Sequence, residues 1–268
     1  MTADPSMKPE GLAALDRRVA RELELLTLPA APWVPEREIA GEPLLDVAII
    51  GAGMAGPACA PAVRNIGLKA VNYDRRPRGY EGPWATTARM ETLRSPKTLT
   101  GPALGIPSLT FRAWFEAQFG AADWEALDKI PRLMWMDYLR WFRAVLALDI
   151  RNDHDIAGIN LGPDYATLEI EAPAGRQRVL ARHVVLATGR DGLGGPYVPA
   201  IADGLPRERW AHSSDSNDYA ALRGKRVAVV GAGASAMDSA GTALEAGAER
   251  VDLLIRRRDI PRINRGKG

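Results

Sequence analysis

Leu45-Asp46-Val47-Ala48-Ile49-Ile50-Gly51-Ala52-Gly53-Met54-Ala55-Gly56 is the stretch from which the fold is read. Five of the six residues before Gly51 are apolar, the pattern of a short strand buried on both faces. The strand breaks into G-x-G-x-x-G, a helical pattern follows to about Gly67, and a second strand, Lys69 to Tyr73, ends in Asp74. Asp74 lies 18 residues beyond Gly56, close to the spacing of about 20 for an acid that holds a ribose. Each part has a physical role in gripping a dinucleotide. Gly51 permits the tight turn, Gly53 lets the backbone approach a pyrophosphate, and Gly56 lets helix and strand pack closely. Met54 and Ala55 open the helix, whose first N–H groups and positive dipole end face the phosphates.

Ahead of this unit, Leu12, Leu15, Val19, Leu23 and Leu26 recur at helical intervals among Arg and Glu, which predicts an amphipathic helix over 11–27. Pro29, Pro32 and Pro35 make an extended connector in which Trp33 is a candidate anchor. Within the first fingerprint helix, Pro57 falls in the first turn, where no helical bond is lost. Pro61 lies deeper, where proline deletes a bond and clashes with the preceding turn, so a kink or early end is expected there. Cys59 is the single cysteine; it reads as a small packing residue and leaves no dithiol within this chain.

Beyond Asp74 come Arg75 and Arg76, then Gly79-Tyr80-Glu81-Gly82-Pro83-Trp84. Helical patterns over 110–119 and 131–148 carry an aromatic stripe, from Trp114 to Phe142, that reads as core. Short strands are expected over 149–187. The last, Arg182 to Ala187, reads as buried and ends in Thr188-Gly189, at the carboxyl edge where open α/β sheets bind ligands.

The chain then repeats its opening device. Gly231-Ala232-Gly233-Ala234-Ser235-Ala236 begins 180 residues after Gly51, and a helix to about Ala246 and a strand Val251 to Ile255 follow. This second strand ends in Arg256-Arg257-Arg258 instead of an acid. Guanidinium groups at that place suit a 2′-phosphate, so the second unit reads as NADP-binding.

Composition sets the outer bounds. The 268 residues are 46% hydrophobic and 25% charged, with a formal net charge of +2, which is a globular profile without a nucleic-acid footprint. No run of about 18 apolar residues marks a membrane span. Met1 to Glu10 has no apolar signal-peptide core, so a cytoplasmic location is expected. His154, His183 and His212 have no ligand-like spacing, so no metal is assigned. His183, at the start of its strand, reads as structural, and no catalytic acid or base is assigned.

Two fingerprints with opposite charge after their second strands imply two different dinucleotides. The first fingerprint, Gly82-Pro83-Trp84, Ala187-Thr188-Gly189, His212-Ser213-Ser214 and the second fingerprint together resemble the flavin-containing and Baeyer–Villiger-type monooxygenases. The resemblance covers about residues 45–265. It implies FAD on the first unit, at Gly51, Gly53, Met54, Ala55, Gly56, Asp74, Arg75, Trp84, Thr188 and Gly189. It implies NADPH on the second, at Gly231, Gly233, Ser235, Ala236, Arg256 and Arg257. In that family hydride passes to the flavin, which reacts with dioxygen to a flavin peroxide that oxidises a small-molecule substrate.

Pro83 stands where the family has a second glycine, and the Phe-x-Gly of the family's linker is absent ahead of Trp210. The chain runs 45 residues from Gly224 to Gly268, against on the order of 100 for a whole domain, and so reads as an amino-terminal portion. The fold expected is α/β: an N-terminal helix and connector over 1–40, a Rossmann-like FAD-binding domain with a small β-meander over 41–215, and a partial Rossmann-like NAD(P)-binding unit over 216–268. The function expected is an FAD- and NADPH-dependent monooxygenase. An NADPH:flavin oxidoreductase without oxygen insertion and a non-catalytic FAD-binding module stay open beside it. Oligomeric state is not legible.

Overall fold

The structure, a computed structural model, describes residues 9–189, 192 and 194–260. Its centre is strand β2 (Glu42–Ile50). A short β1 (Glu38–Ile39) turns back onto its start. Helix α2 (Ala55–Asn65) leads to β3 (Ala70–Tyr73), which pairs in parallel with β2, Ile50 opposite Tyr73. Further along, β4 (Ile150–Arg151) adds in parallel outside β3, and β7 (Gly175–Leu186) in parallel on the other side of β2. Strands β5 (Asp155–Leu161) and β6 (Ala166–Ala172) continue antiparallel from β7. The sheet order is therefore β4-β3-β2-β7-β6-β5. The meander and the parallel sheet are one surface because β7 belongs to both. Its first half pairs with β6 and its second half with β2.

The side-chain alternation of β2 explains why it is central. Val47 and Ile49 point into a helical core, whereas Ala48 and Ile50 meet Leu168, Ile170 and Ala181 of the meander. Both faces are thereby covered, as the continuous apolar run requires. Asp46 is its buried polar member; its carboxylate accepts the Lys69 N–H at 3.0 Å and lies 3.4 Å from the Arg182 guanidinium.

The helical core is built by α1 (Leu12–Leu26), α3 (Phe111–Phe119), α4 (Ala121–Ala126) and α5 (Arg132–Val145). Phe111, Trp135, Tyr138 and Phe142 are fully buried in it, with ring centroids 5.2–6.2 Å apart where they touch. The aromatic stripe is thus core. Helix α1 inserts Leu15 and Val19 into the same cluster, and its Asp16 accepts the Trp141 indole N–H at 2.7 Å. Trp33 anchors by its edge: the ring is exposed, but its N–H donates to the Ile66 carbonyl at 2.7 Å.

Four expectations are corrected. Helix α2 does not end at Pro61 but runs on to Asn65, with Pro61 buried inside it. The run from Arg182 to Ala187 is not a buried strand. Past Ala181, β7 has no outer partner among the described residues, so His183 and Leu186 are exposed. His183 is accordingly a surface residue on that open edge rather than a buried structural one. After the linker, β8 (Arg226–Val230), α6 (Ala234–Glu245) and β9 (Arg250–Leu254) form the second unit, a parallel strand pair with one helix. Arg250, not Val251, opens β9, and Ile255 lies just past its end.

Candidate dinucleotide-binding site

The first fingerprint is a loop that only small residues can close. Gly51 has φ +103°, and a Cβ there would stand 2.4 Å from the Ala187 carbonyl oxygen. A Cβ on Gly56 would stand 1.9 Å from the Gly51 carbonyl oxygen and 2.7 Å from the Asn72 amide. Helix, loop and both neighbouring strands therefore meet at backbone distance. Gly53 faces Gly82: a Cβ on Gly82 would lie 3.2 Å from the Gly53 Cα. The two glycines form a side-chain-free crease at the start of α2. Met54 is the N-cap residue, and no side chain caps the helix, so the first-turn N–H groups at Ala55 and after it stay open to a ligand. Beside the crease lies a cavity of about 380 Å³, with Ala52, Gly53, Pro57, Arg78, Glu81 and Arg143 among its lining.

Asp74 follows β3 directly and is buried, 7% exposed. Its two carboxylate oxygens accept the Ala52 N–H at 2.6 Å and the Arg76 N–H at 2.8 Å. It thus ties the end of β3 to the fingerprint loop. Burial pushes its carboxyl above the usual carboxylate range, against the lowering effect of those two N–H donors. Arg75 is exposed and borders a second cavity of about 460 Å³ with Arg76, Asp153 and Asp155.

Thr188 and Gly189 come to the same place from the other side. β7 enters the loop region through the Ala187 N–H, which donates to the Ile50 carbonyl at 2.8 Å. The Thr188 hydroxyl is buried without a hydrogen-bond partner among the described residues, and so is the Trp84 indole N–H. Trp84 packs edge-on to Trp135 at 6.4 Å, and its carbonyl accepts Arg132 at 2.5 Å. A polar group buried without a partner is costly in a finished core. The indole N–H groups of Trp114 and Trp135 are unpartnered among the described residues as well, so what sets Thr188 and Trp84 apart is their place beside Gly51 and Gly82.

The second fingerprint is more open. Gly231, φ +136°, receives a strand-like tie from its N–H to the Leu254 carbonyl at 3.0 Å, and its missing Cβ would meet Ala236 at 3.4 Å. Gly233 has nothing within 4 Å of the same point. Ser235 and Ala236 lie in the first turn of α6, again without a side-chain cap. Arg256 and Arg257 are exposed just past β9. Neither cavity above includes a residue of this unit. It is joined to the first by Arg94, 2.6 Å from Asp238 of α6, and by Arg89 stacked 5.2 Å over Tyr219.

Sequence reasoning missed Glu81, Arg143 and Asn152. Glu81 is buried and takes hydrogen bonds from Arg143, from Asn152 at 2.7 Å and from the Gly79 N–H at 2.9 Å. The one available signal was an acid between Gly79 and Gly82 in a turn beside the crease.

A mixed sheet with a parallel centre, two glycine fingerprints and two uncapped helix starts define an α/β protein of the dinucleotide-binding class. The family described as pyridine nucleotide-disulphide oxidoreductase matches residues 45–265, and the chain belongs to that family. Among curated proteins it is similar to an FAD-dependent urate hydroxylase of Xanthomonas campestris pv. campestris, 46% identical over 261 residues. The match covers 94% of this chain and 54% of the relative, so the chain spans about half that protein's length. Among solved structures it resembles an ornithine N-hydroxylase of Kutzneria sp. 744 in complex with reduced FAD, NADP+ and L-ornithine (TM-score 0.62, 22% identity, 81% of this chain and 54% of that one). It also resembles the bacillithiol disulfide reductase of Staphylococcus aureus (TM-score 0.62, 18% identity, 81% and 58%).

Proposed function

We propose that the first unit binds FAD, that the second binds NADPH, and that the chain is the nucleotide-binding part of an FAD-dependent monooxygenase. The observation that carries this is the crease of Gly51, Gly53, Gly56 and Gly82 with the unpaired Thr188 hydroxyl and Trp84 N–H around it. The residues fit a dinucleotide flavin. The α2 start offers N–H groups to a pyrophosphate, and Asp74 has lone pairs left for a ribose after its two backbone bonds. Arg75 borders the neighbouring cavity just past Asp74, and Thr188 and Gly189 follow the end of β7 beside Gly51. Gly231, Gly233, Ser235 and Ala236 do the same for NADPH, with Arg256 and Arg257 for its 2′-phosphate. Held by these residues, FAD would supply two-electron redox chemistry, with NADPH as hydride donor and dioxygen as acceptor.

The 46% identity to a urate hydroxylase favours oxygen insertion over simple reduction and makes urate the first small-molecule substrate to test. Within these 268 residues Cys59 is the single cysteine, so no dithiol forms inside this sequence. The working compartment we propose is the cytoplasm, where NADPH-dependent chemistry of this kind operates on soluble substrates. Among the described residues no helix is long and apolar enough to cross a membrane. The deciding experiment uses this 268-residue sequence in its full-length protein context, with NADPH, oxygen and urate. Hydroxylated product formed in proportion to NADPH consumed supports the reading. NADPH oxidation that never hydroxylates urate or a related heterocycle contradicts it.

A further inference from the structure

The Glu81 carboxylate stands at the junction of the two ends of the crease. On one side it accepts the Gly79 N–H, fixing a turn in which Gly79 and Gly82 have φ +86° and +70° and which places Gly82 against Gly53. On the other it accepts Asn152, whose amide also donates to the Arg76 carbonyl at 3.0 Å. The Arg76 N–H in turn donates to Asp74, and Asp74 accepts Ala52 of the fingerprint. Arg143 of α5 closes the network: it pairs with Glu81, and its other nitrogen donates to the Ile150 carbonyl at 3.1 Å. Arg140, one turn earlier, donates to the Gly79 carbonyl at 2.5 Å. Fixed points on α5, behind β4 and in the 79–82 turn are thus connected to both the pyrophosphate and the ribose ends of the proposed site. An acid buried to this depth is costly unless it is paired and bonded. Here it is both, and Gly79, Glu81 and Arg143 all line the cavity beside the crease.

We infer that Glu81 is a positioning residue for the cofactor: through the Gly79 turn and the Asn152–Arg76–Asp74 chain it sets the distance between the phosphate-binding and ribose-binding ends of the first unit. The inference rests on the FAD reading above. Glutamine at this position keeps the size but turns an N–H₂ group towards either the Gly79 N–H or the Asn152 and Arg143 donors, so one contact becomes repulsive.

The test measures FAD affinity and, on the FAD-free protein, amide exchange at Gly79. Glu81→Gln is expected to weaken FAD binding at least tenfold and to speed exchange at the Gly79 amide, which donates to Glu81. Because that variant leaves Arg143 without its counter-charge and can unfold, Glu81→Gln with Arg143→Met is made beside it. Removing both charges restores folding but not the carboxylate that holds the turn. The double variant should melt near the wild type, still bind FAD at least tenfold more weakly, and still exchange faster at Gly79. If it folds and binds FAD as the wild type does, the inference is overturned while the FAD site stands. If the wild-type protein itself binds no FAD, the site assignment fails and the inference with it.

Discussion

The glycines of the two fingerprints are equivalent in sequence and unequal in space, and that difference is testable one residue at a time. At Gly56 an added methyl meets backbone at 1.9 Å, and at Gly51 at 2.4 Å with φ at +103°. Neither backbone can yield without parting the helix from the sheet. Gly56→Ala and Gly51→Ala should each cost near the upper end of the roughly 1–3 kcal/mol usual for overpacking and abolish FAD binding. Gly233→Ala meets nothing within 4 Å and should leave the melting temperature unchanged. Differential scanning fluorimetry on the three variants reads the contrast directly. Asp74 supplies a second test. Its folded carboxyl is raised by burial, so its contribution to stability is full below the unfolded value of about 3.9 and is lost as pH rises through the raised folded value. Asp74→Asn should flatten that part of the stability profile, and melting curves across pH 4 to 7 of both proteins would show it. An unchanged slope would mean that the backbone N–H donors cancel the effect of burial, and a slope that the substitution changes in the opposite sense would mean that they outweigh it.

At the scale of elements, the central question is why α2 tolerates Pro61. The helix continues past it to Asn65, so the lost bond and ring clash of about 3 kcal/mol or more are absorbed by packing. Proline's two carbons beyond Cβ are worth about 0.8 kcal/mol each when buried, less in total than the helix penalty. Pro61→Ala should therefore raise stability by roughly 1 kcal/mol, which for a chain of this size is about 2–4 °C. A fall in melting temperature would show that the ring fills space the backbone has already adapted to. Much at this scale was legible in the sequence. The apolar run of Val47 to Ile50, the three-and-four spacing of Leu15 and Val19, and the aromatic spacing in α5 gave strands and helices with their faces, because local periodicity records which side is buried. What was not legible depends on partners distant in the chain. Nothing in Arg182 to Leu186 says that β7 loses its outer neighbour past Ala181. Nor does any local pattern link Glu81 to Arg143 and Asn152, 62 and 71 residues away. Asp74 was readable as an acid after a strand, but its bond to Ala52 needed the fold.

At the scale of the whole molecule the two units differ in how firmly they are built. The first has two apolar clusters on the faces of one sheet. Among the described residues of the second, Ala240 and Ala243 are the buried apolar ones, whereas Leu244, Val230 and Leu254 are 54%, 55% and 48% exposed. A strand pair with one helix and so little burial is marginal. Amide exchange should be slow in β2, β3 and the first half of β7 and fast throughout β8, α6 and β9. The same weakness predicts that NADPH oxidation by the isolated 268-residue chain stays well below the range of about 1–10³ s⁻¹ common for enzymes; turnover within that range would contradict this. Arg94 and Asp238 bridge the units with a half-exposed pair, which contributes about 0–1 kcal/mol and cannot compensate for missing burial. The central claim, however, concerns the first unit and does not depend on the second. It is tested most directly by purifying the 268-residue protein, adding FAD, removing the excess and reading the visible absorbance of what stays bound. A yellow protein carrying one FAD per chain, with Gly53→Val colourless because valine fills the crease opposite Gly82, is the predicted result. A colourless wild-type protein that retains no FAD after reconstitution would contradict the account.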